Sequence, residues 1–506
     1  MPSVAPRDVL TGVFGYPEFR PGQEKIIATV LSGRDCIGVM PTGAGKSLTY
    51  QIPARILPGT VLVVSPLISL MKDQVDALER NGFRATVLNS SLDWETKRDR
   101  LRRLRAGEYE LVYVAPEGLE GGLRGALAEA GISLVAVDEA HCISEWGHDF
   151  RPAYRRLAAL KREFGGVPIL ALTATATRRV VGDIIRQLGM VKPDGFKGSF
   201  YRSNLSLFAH KKGDGRGQRK DLLAYVHRRA AAGESGIIYT LSRRNVDSLT
   251  EFFRDAGIRA VPYHAGLDDA VRARHQDAFA RDEADVVVAT IAFGMGIDKS
   301  NVRYVIHREL PRSIESYYQE IGRAGRDGLP SDCILLYSWA DVVSHQRFQE
   351  SIEDPDVRGQ ARERSRTTFE LVDAPGCRWQ RLVAYFDESI EPCAGACDAC
   401  RGTTFLDLVK PVRQARALPI VPAASREATP DLEFDDALFQ RLRALRRSLA
   451  DGEGVPAYIV FSDAVLARMA ALRPDDEASL LAVPGIGPAK LARYGAAFLR
   501  VLREAD

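Results

Sequence analysis

Short apolar runs and amphipathic stretches alternate through the first part of the chain. Up to residue 205, runs of strand length are separated by stretches of helical period, such as 24–31 and 178–188. Apolar runs that alternate with helices predict a doubly wound parallel sheet whose strands are buried on both faces. The predicted strands are residues 36–40, 60–65, 110–114, 133–137 and 168–172.

A second block with the same alternation extends from residue 206 to residue 339. Its predicted strands are residues 236–239, 260–263 and 285–289. The chain therefore predicts the α/β class, with two parallel-sheet lobes at residues 1–205 and 206–339. Ligands of such sheets bind beyond the carboxyl ends of the strands.

The remainder of the chain lacks this alternation and predicts helices. We expect a small helical domain at 340–405, a linker at 406–434 and a helical bundle at 435–506. The proline-containing stretch 401–434 is shorter than the ~50 residues of an independent domain.

Composition excludes several classes of protein. The residues are 45% hydrophobic and 27% charged, and the formal net charge is +3, so a nucleic-acid site must be a local basic surface. We find neither a secretory signal nor an apolar run of ~18 residues, and we expect a cytoplasmic protein without a membrane partner.

A glycine-rich loop follows the first predicted strand and precedes a helix. Gly43 and Gly45 let backbone N–H groups approach phosphate oxygens, Lys46 would bind the β- and γ-phosphates, and Ser47 would bind Mg²⁺. Met40 stands where the strict phosphate-loop pattern has glycine. The alternative is a glycine-rich turn that caps a helix. The predicted nucleotide-binding residues of this loop are Thr42, Gly43, Ala44, Gly45, Lys46 and Ser47.

Two carboxylates follow the apolar run at 133–137. Asp138 would hold Mg²⁺ through water, and Glu139 would orient the attacking water as a general base. The next residues include types that stack on bases and contact phosphates. An ordinary aromatic-rich core loop is the alternative. The candidate nucleic-acid contacts in this loop are Trp146, His148, Phe150 and Arg151.

Four of the seven cysteines have the spacing of metal ligands. One precedes a helical stretch, and the other three follow as CxxxCxxC, which fits tetrahedral Zn²⁺ in a structural site without an open position. The alternative is a set of reduced structural thiols. The predicted zinc ligands are Cys377, Cys393, Cys397 and Cys400.

The order of these motifs resembles that of the RecQ family of DNA helicases over residues 10–400 and 435–506. The segment 19–23 resembles the family's adenine-reading motif, which implies that Tyr16, Arg20 and Gln23 bind the base. Three more segments resemble the family's DNA-backbone motif, its Mg²⁺ motif with an aromatic-rich loop, and the motif that links hydrolysis to lobe movement. They are residues 66–74, 138–154 and 172–177.

The second lobe resembles the family at 290–298 and 319–327, its nucleotide-facing motifs. Arg323 and Arg326 would lie on one face if they are helical. The resemblance implies that Arg326 is an arginine finger with Arg323 beside it, at a site in the cleft between the lobes. The alternative is a pair of arginines on a solvated helix.

The chain departs from the family pattern at four places. Ile321 stands where relatives usually have threonine, and Glu309 stands where they usually have aspartate. Three residues rather than two separate Cys393 from Cys397. The linker is too short for the winged-helix domain that many members carry, so we expect this domain to be absent.

The C-terminal segment 483–495 resembles the HRDC module that ends many RecQ helicases. Its Gly485 and Gly487 could expose N–H groups to a phosphate. A structural turn, used for protein contacts, is the alternative. The predicted DNA contacts of this module are Lys490, Arg493 and Tyr494.

Taken together, the resemblance implies an ATP-dependent helicase that moves 3′→5′ on single-stranded DNA and unwinds duplex or forked DNA in repair and recombination. The implied cofactors are ATP, Mg²⁺ and Zn²⁺. The implied partners are single-stranded and forked DNA, with a single-stranded-DNA-binding protein or repair proteins, and a monomer is expected. The alternatives are a DNA-stimulated ATPase or remodeller with weak unwinding, and an RNA helicase of the same superfamily.

Overall fold

The structure of the protein is a computed structural model. It describes residues 4–66, 68–90, 92–119, 122–144, 149–213, 217–291, 293, 299–409 and 434–504. The chain forms two compact units. One comprises Met1–Phe200 together with Leu472–Asp506, and the other comprises Tyr201–Ala471. Within the described residues, no helix combines the length and the apolar character needed to cross a membrane.

The first unit contains a seven-stranded parallel sheet in the order β3-β4-β2-β5-β6-β1-β7. Its strands are Cys36–Val39 (β1), Thr60–Val64 (β2), Ala85–Leu88 (β3), Leu111–Val114 (β4), Ile132–Val137 (β5), Ile169–Thr173 (β6) and Asp194–Lys197 (β7). Its helices are Pro6–Phe14 (α1), Gln23–Leu31 (α2), Leu48–Ile56 (α3), Ile68–Arg80 (α4), Trp94–Arg105 (α5), Gly122–Glu129 (α6), Leu160–Glu163 (α7) and Arg178–Gln187 (α8).

A buried carboxylate fixes the amino end of β1 against its neighbours. Asp35 is 3% exposed, accepts hydrogen bonds from the backbone N–H groups of Ile169 (2.8 Å) and Val191 (2.6 Å), and pairs with Lys161. The register that results places Cys36 opposite Leu170 and Val39 opposite Thr173. The loop after β1 and the segment after β6 therefore leave the sheet at the same edge.

The second unit contains a six-stranded parallel sheet in the order β10-β11-β9-β12-β13-β8. Its strands are Leu205–Lys211 (β8), Ser235–Tyr239 (β9), Ala260–Tyr263 (β10), Val286–Ala289 (β11), Val302–His307 (β12) and Ser331–Tyr337 (β13). Its helices are Gln218–Ala231 (α9), Arg243–Asp255 (α10), Asp269–Ala280 (α11) and Ile314–Ile321 (α12).

Helices continue from the second sheet to the end of the chain. The region after β13 contains Trp339–Gln349 (α13), Pro355–Asp373 (α14), Arg378–Tyr385 (α15), Asp398–Arg401 (α16) and Phe405–Val409 (α17). The C-terminal region contains Asp436–Glu453 (α18), Ala457–Val460 (α19), Asp463–Leu472 (α20), Glu477–Leu481 (α21) and Pro488–Arg503 (α22). The helices α18 and α19 belong to the second unit, whereas α21 and α22 belong to the first.

The predicted fold class is confirmed, although five strands were not predicted. β3 and β7 have only four residues each, and Arg303 interrupts the apolar pattern of β12. The unpredicted strands are β3, β7, β8, β12 and β13. The boundary at residue 205 falls at the first residue of β8, and the second unit begins at Tyr201.

The predicted linker begins inside a helix. Phe405 of α17 is 3% exposed and packs in the core of the second unit with Leu222 and Tyr225 of α9. Helical structure therefore extends four residues into the predicted linker, to Val409. Residues 410–433 lie outside the described residues.

Candidate nucleotide, arginine and zinc sites

The phosphate loop joins the carboxyl end of β1 to the amino end of α3. Gly43 and Gly45 have φ angles of +85° and +76°, which side chains rarely adopt. A Cβ atom at Gly45 would lie 2.5 Å from the Nε2 atom of Gln23. Lys46 donates from Nζ to the carbonyl of Met40 over 3.2 Å, which keeps the ammonium group inside the loop. A glycine-lined loop, a helix N-terminus and an ammonium group fit the phosphates of a nucleotide.

Residues of the predicted adenine motif contact the same loop. Gln23 is 1% exposed, and its Oε1 atom accepts from the backbone N–H of Arg20 at 2.9 Å. Its Nε2 atom donates to the carbonyls of Ala44 (3.2 Å) and Gly45 (3.0 Å), and the Arg20 guanidinium donates to another carbonyl of the loop. Tyr16 is 39% exposed. The amide of Gln23 would have to exchange these partners to bind an adenine, so the adenine contact stays a prediction.

The acidic pair follows β5 at the same sheet edge as the phosphate loop. Burial and the neighbouring Glu139 carboxylate raise the pKa of Asp138, and the positive charge of Lys46 opposes this shift. The backbone of Glu139 has a φ of +47°, a strained conformation for a residue with a side chain. The hydroxyl of Tyr154 donates to the carbonyl of Asp138 at 2.9 Å and supports this turn. A half-buried carboxylate that feels the charge of Lys46 fits a Mg²⁺ site shared with the hydroxyl of Ser47.

Two polar side chains, those of His141 and Thr173, lie between Glu139 and the carboxyl end of β6. His141 is 2% exposed, and its Nδ1 atom lies 3.4 Å from Glu139 Oε2 and 2.9 Å from Thr173 Oγ1. Thr173 Oγ1 donates to the carbonyl of Thr175 at 3.1 Å and accepts from its backbone N–H at 3.3 Å. The Thr173 hydroxyl therefore joins the ring of His141 to the backbone of Thr175, and a hydroxyl can exchange such partners by rotation.

The aromatic-rich loop is described only in part. Two of its four predicted DNA contacts lie outside the described residues: Trp146 and His148. Phe150 is half-buried, and the guanidinium of Arg155 lies 5.1 Å from the centroid of its ring. Arg151 donates to the Asp149 carboxylate and to the Pro66 carbonyl, both over 3.2 Å. Arg151 therefore joins this loop to the segment 66–74, and a DNA contact of the four residues stays a prediction.

Arg323 and Arg326 lie in the turn that follows α12, not on a helix. The helix ends at Ile321 because glycines follow it, and the argument from helical spacing therefore does not apply. Arg323 is 8% exposed and hydrogen-bonds the hydroxyl of Tyr239. Arg202, which precedes β8, donates to two carbonyls of the turn over 3.0 Å each.

Further contacts fix the arginine turn in the second unit. Gly325 has a φ of +53°, and a Cβ atom there would lie 2.5 Å from Nδ2 of Asn204. Asn204 donates to the carbonyls of Gly325 (2.9 Å) and Leu329 (3.0 Å). Asp327 forms a buried ion pair with Arg303 at 2.6 Å. The turn is therefore held from several directions, which fixes the backbone positions of both arginines.

The four predicted zinc ligands lie together. Their Sγ atoms are all within 4.8 Å of one another, and only Cys400 is exposed. The backbone N–H of Cys393 donates to Cys377 Sγ at 3.3 Å, and that of Cys400 donates to Cys397 Sγ at 3.4 Å. A hydrogen bond from Cys393 lowers the pKa of Cys397 and favours the thiolate that zinc requires. Four convergent sulfur atoms fit a tetrahedral structural zinc ion.

The additional residue between the second and third ligands is accommodated by the turn between them. Ala394 and Gly395 both adopt positive φ angles, of +47° and +111°. The turn also receives a hydrogen bond of 3.0 Å from the backbone N–H of Leu207 in β8. The cysteine cluster therefore extends the edge of the second sheet.

The predicted DNA contacts of the C-terminal region lie on α22. Tyr494 is 4% exposed, and the guanidinium of Arg493 lies 5.5 Å from the centroid of its ring. A base could stack on Tyr494 only if this segment opened. Burial and the nearby charge of Arg80 lower the pKa of Lys490 to about 8. A DNA contact of these residues stays a prediction.

Sequence reasoning missed several residues that support the sites. His141 and Tyr154 lie inside a segment that resembles the family, but only the structure gives them partners. Arg202, Asn204 and Arg303 carry no local signal. The fold brings all three to the arginine turn. Arg202 and Asn204 are more than a hundred residues away from their partners in the sequence.

A phosphate loop with an acidic pair in one parallel-sheet unit, and a fixed arginine turn in the other, define the class of two-lobed helicase motors. Family models match the chain in the same order: DEAD/DEAH box helicase at 20–184, helicase conserved C-terminal domain at 218–328, RecQ zinc-binding at 339–401 and HRDC domain at 435–502. The chain belongs to the RecQ family of helicases. The predicted family, fold class and cofactors ATP, Mg²⁺ and Zn²⁺ are thereby confirmed.

Related proteins align with almost the full length of this chain. The chain is 37% identical to the ATP-dependent DNA helicase RecQ of Haemophilus influenzae, over 98% of this chain and 95% of the relative. It is 36% identical to the protein of the same name from Bacillus subtilis, over 98% of each. These alignments run over 594 and 584 residues, more than the 506 residues of this chain, so they place gaps within it.

Solved structures at lower identity share the fold. The helicase MrfA bound to DNA superposes with a TM-score of 0.56 at 16% identity, over 69% of this chain and 50% of MrfA. Dbp5 of S. cerevisiae, bound to RNA and ADP BeF3, gives a TM-score of 0.54 at 16% identity, over 72% of this chain and 97% of Dbp5. These similarities support the two-lobed fold alone.

Proposed function

We propose that this chain uses ATP to move 3′→5′ along single-stranded DNA and to unwind duplex and forked DNA in repair and recombination. The RecQ relatives, named ATP-dependent DNA helicases, support the reaction and the DNA substrate. The polarity and the forked substrate follow from the resemblance of the motifs. The RNA-unwinding alternative has less support, because these full-length relatives are named for DNA.

The observation that carries this proposal is the placement of two motifs at one edge of the first sheet. Lys46 and Ser47 follow β1, Asp138 and Glu139 follow β5, and the charge of Lys46 acts on Asp138. Bound ATP with Mg²⁺ supplies the phosphoryl group that is transferred to water. Lys46 would neutralise the phosphates, Ser47 and Asp138 would hold the cation, and Glu139 would take the proton of the attacking water.

The polar chain from Glu139 through His141 to Thr173 would couple this chemistry to movement. A change in the charge or position of Glu139 alters the hydrogen bond of His141, and Thr173 then changes its partners. The segment 172–177, which contains Thr173, resembles the family's motif that links hydrolysis to lobe movement.

Arg323 and Arg326 would stabilise the charge of the transferred phosphoryl group. Arg326 is the candidate arginine finger, and Arg323 would contact the same nucleotide. The network of Arg202 and Asn204 supports this role, because a finger acts through a fixed position. The four cysteines would hold a zinc ion that has a structural role and no catalytic one.

Strand separation would fall to the motor itself. The short stretch 401–434 is the reason to expect no winged-helix domain in this chain. The aromatic-rich loop is then the candidate DNA sensor and strand separator, through Trp146, His148, Phe150 and Arg151. The expected protein partners are a single-stranded-DNA-binding protein and repair proteins. We expect a monomer that acts in the cytoplasm, and on the nucleoid if the source is bacterial.

A second candidate function is a DNA-stimulated translocase or remodeller with weak unwinding. The short stretch 401–434 favours it, since the family's usual strand-separating hairpin lies in the winged helix. Tyr16, Arg20 and Gln23 would bind adenine in either case.

A strand-displacement assay on forks with a 3′ or a 5′ tail tests both functions. We expect unwinding of the 3′-tailed fork only, and Lys46→Ala should abolish it together with ATP hydrolysis. Lys220→Ala, which changes an exposed lysine on α9, is the matched control and should retain full activity. Equal unwinding of the 5′-tailed fork contradicts the polarity. ATP hydrolysis and single-strand movement without displacement would establish the translocase.

A further inference from the structure

The C-terminal turn 484–488 contacts the end of α1 backbone to backbone. The N–H of Gly485 donates to the carbonyl of Gly15 at 2.9 Å. A Cβ atom at Gly15 would lie 2.5 Å from the carbonyl carbon of Ile486, and one at Gly487 would lie 2.9 Å from the carbonyl oxygen of Val13. Only glycine allows this approach at either position. The contact therefore uses the two glycines that the sequence suggested for DNA phosphates.

The end of α1 leads directly to the nucleotide-binding elements. Gly15 is the left-handed C-cap residue of α1, with a φ of +71°, and Tyr16 follows it. Val9 and Leu10 of α1 pack in one apolar cluster with Ile27 of α2 and Ile52 of α3, and α3 begins at the phosphate loop. The turn 484–488 thus holds the residue that precedes the predicted adenine-stacking ring.

We infer that the turn 484–488 is a positioning element of the nucleotide site: it fixes the backbone at Gly15 and thereby the ring of Tyr16. The inference rests on the proposed function, because it takes Tyr16 as the residue that stacks on adenine. Ile486 is 1% exposed, so the turn is anchored by a buried side chain as well as by the hydrogen bond. A backbone that is already ordered loses less conformational entropy when it binds a ligand, which raises affinity.

Gly487→Ala tests the contact between the turn 484–488 and α1, and the substitution itself introduces little backbone strain. Gly487 has a φ of −93°, which alanine adopts readily, so the added methyl group acts through its clash with Val13. Gly452→Ala is the matched control, because a Cβ atom there meets no atom within 4 Å and its φ is not left-handed. Both variants are made in the full chain, and binding of a fluorescent ATP analogue is measured in the absence of DNA.

We expect Gly487→Ala to weaken binding of the analogue and to raise the KM for ATP by about fivefold, the scale of ordering one backbone residue. The kcat of DNA-stimulated hydrolysis should stay unchanged, and Gly452→Ala should match the unmodified chain. Hydrogen exchange at the Tyr16 amide should become faster in Gly487→Ala alone. If Gly487→Ala does not fold, Ile486→Ala decides by the same measurements, since it removes the buried anchor of the turn.

Unchanged nucleotide affinity in a folded Gly487→Ala or Ile486→Ala chain overturns the inference. Weaker DNA binding with unchanged nucleotide affinity also overturns it, and would assign the glycines to DNA instead. A failure of the proposed function is distinct, because the unmodified chain would then not hydrolyse ATP.

Discussion

Removal of one zinc ligand should destabilise the second lobe before it affects ATP chemistry. Cys397→Ser is the sharpest change, because Cys397 is fully buried and precedes the helix that carries Asp398. Two backbone N–H groups of β8 donate to this region: that of Leu207 to the carbonyl of Ala396 at 3.0 Å, and that of Ala209 to the carboxylate of Asp398 at 2.8 Å.

The magnitude follows from the contacts that the metal-bound turn supports. A neutral hydrogen bond contributes about 0.5–1.5 kcal/mol and a charged one about 1.5–3 kcal/mol. The turn supplies one backbone bond to β8, one bond from Ala209 to the Asp398 carboxylate, and the buried pair of Asp398 with Arg378 at 2.6 Å. Their loss would cost about 3.5–7.5 kcal/mol, a large share of the ~5–15 kcal/mol that stabilises a typical domain.

Metal analysis and thermal unfolding measure this effect together. We expect the Cys397→Ser protein to lose zinc and to melt on the order of 10 °C lower. Its basal ATP hydrolysis at low temperature should persist, since the phosphate loop lies in the other unit. Cys333→Ser, at a buried thiol outside the cluster, is the control that should retain zinc. A zinc-free Cys397→Ser protein with an unchanged melting temperature would refute the reasoning.

Two further changes test buried polar side chains, one in each unit. Thr173→Val removes the hydroxyl that joins His141 to Thr175. We therefore expect the kcat of DNA-stimulated ATP hydrolysis to fall about tenfold at unchanged nucleotide affinity. An unchanged kcat would show that the polar side chains do not couple the two motifs. Burial lowers the pKa of His345, whose Nε2 lies 2.7 Å from the Leu310 carbonyl. The folded state then binds this proton less readily than the unfolded state, and stability should fall as pH drops below about 6.5. His345→Gln should flatten that dependence in thermal unfolding between pH 7.5 and 5.5, and an equal slope in both proteins would contradict the assignment.

The strands that were predicted are those whose burial shows directly in the sequence. β2 and β6 are buried on both faces, so their residues read as continuous apolar runs. β7 is an edge strand with alternating exposure and contains Asp194 and Lys197. Its place in the sheet depends on pairing with β1, which no local pattern encodes.

The chemistry of the sites was similarly visible where it depends on residue type and local spacing. Lys46, Asp138 and the four cysteines are short-range patterns whose chemistry is fixed by the side chains themselves. The argument that Arg323 and Arg326 share one face was conditional on a helix, and it does not apply because the helix ends at Ile321. Their role in the site stays a prediction.

By itself, the sequence determined the two α/β lobes, the nucleotide and zinc chemistry and the family. Each of these depends on residue type and on spacings of a few residues. Tertiary structure alone decided that Gln23 contacts the phosphate loop, that Arg202 supports the arginine turn and that Gly485 binds Gly15. These contacts join residues that are distant in the chain, and their existence depends on how sheets and helices pack, which local patterns do not specify.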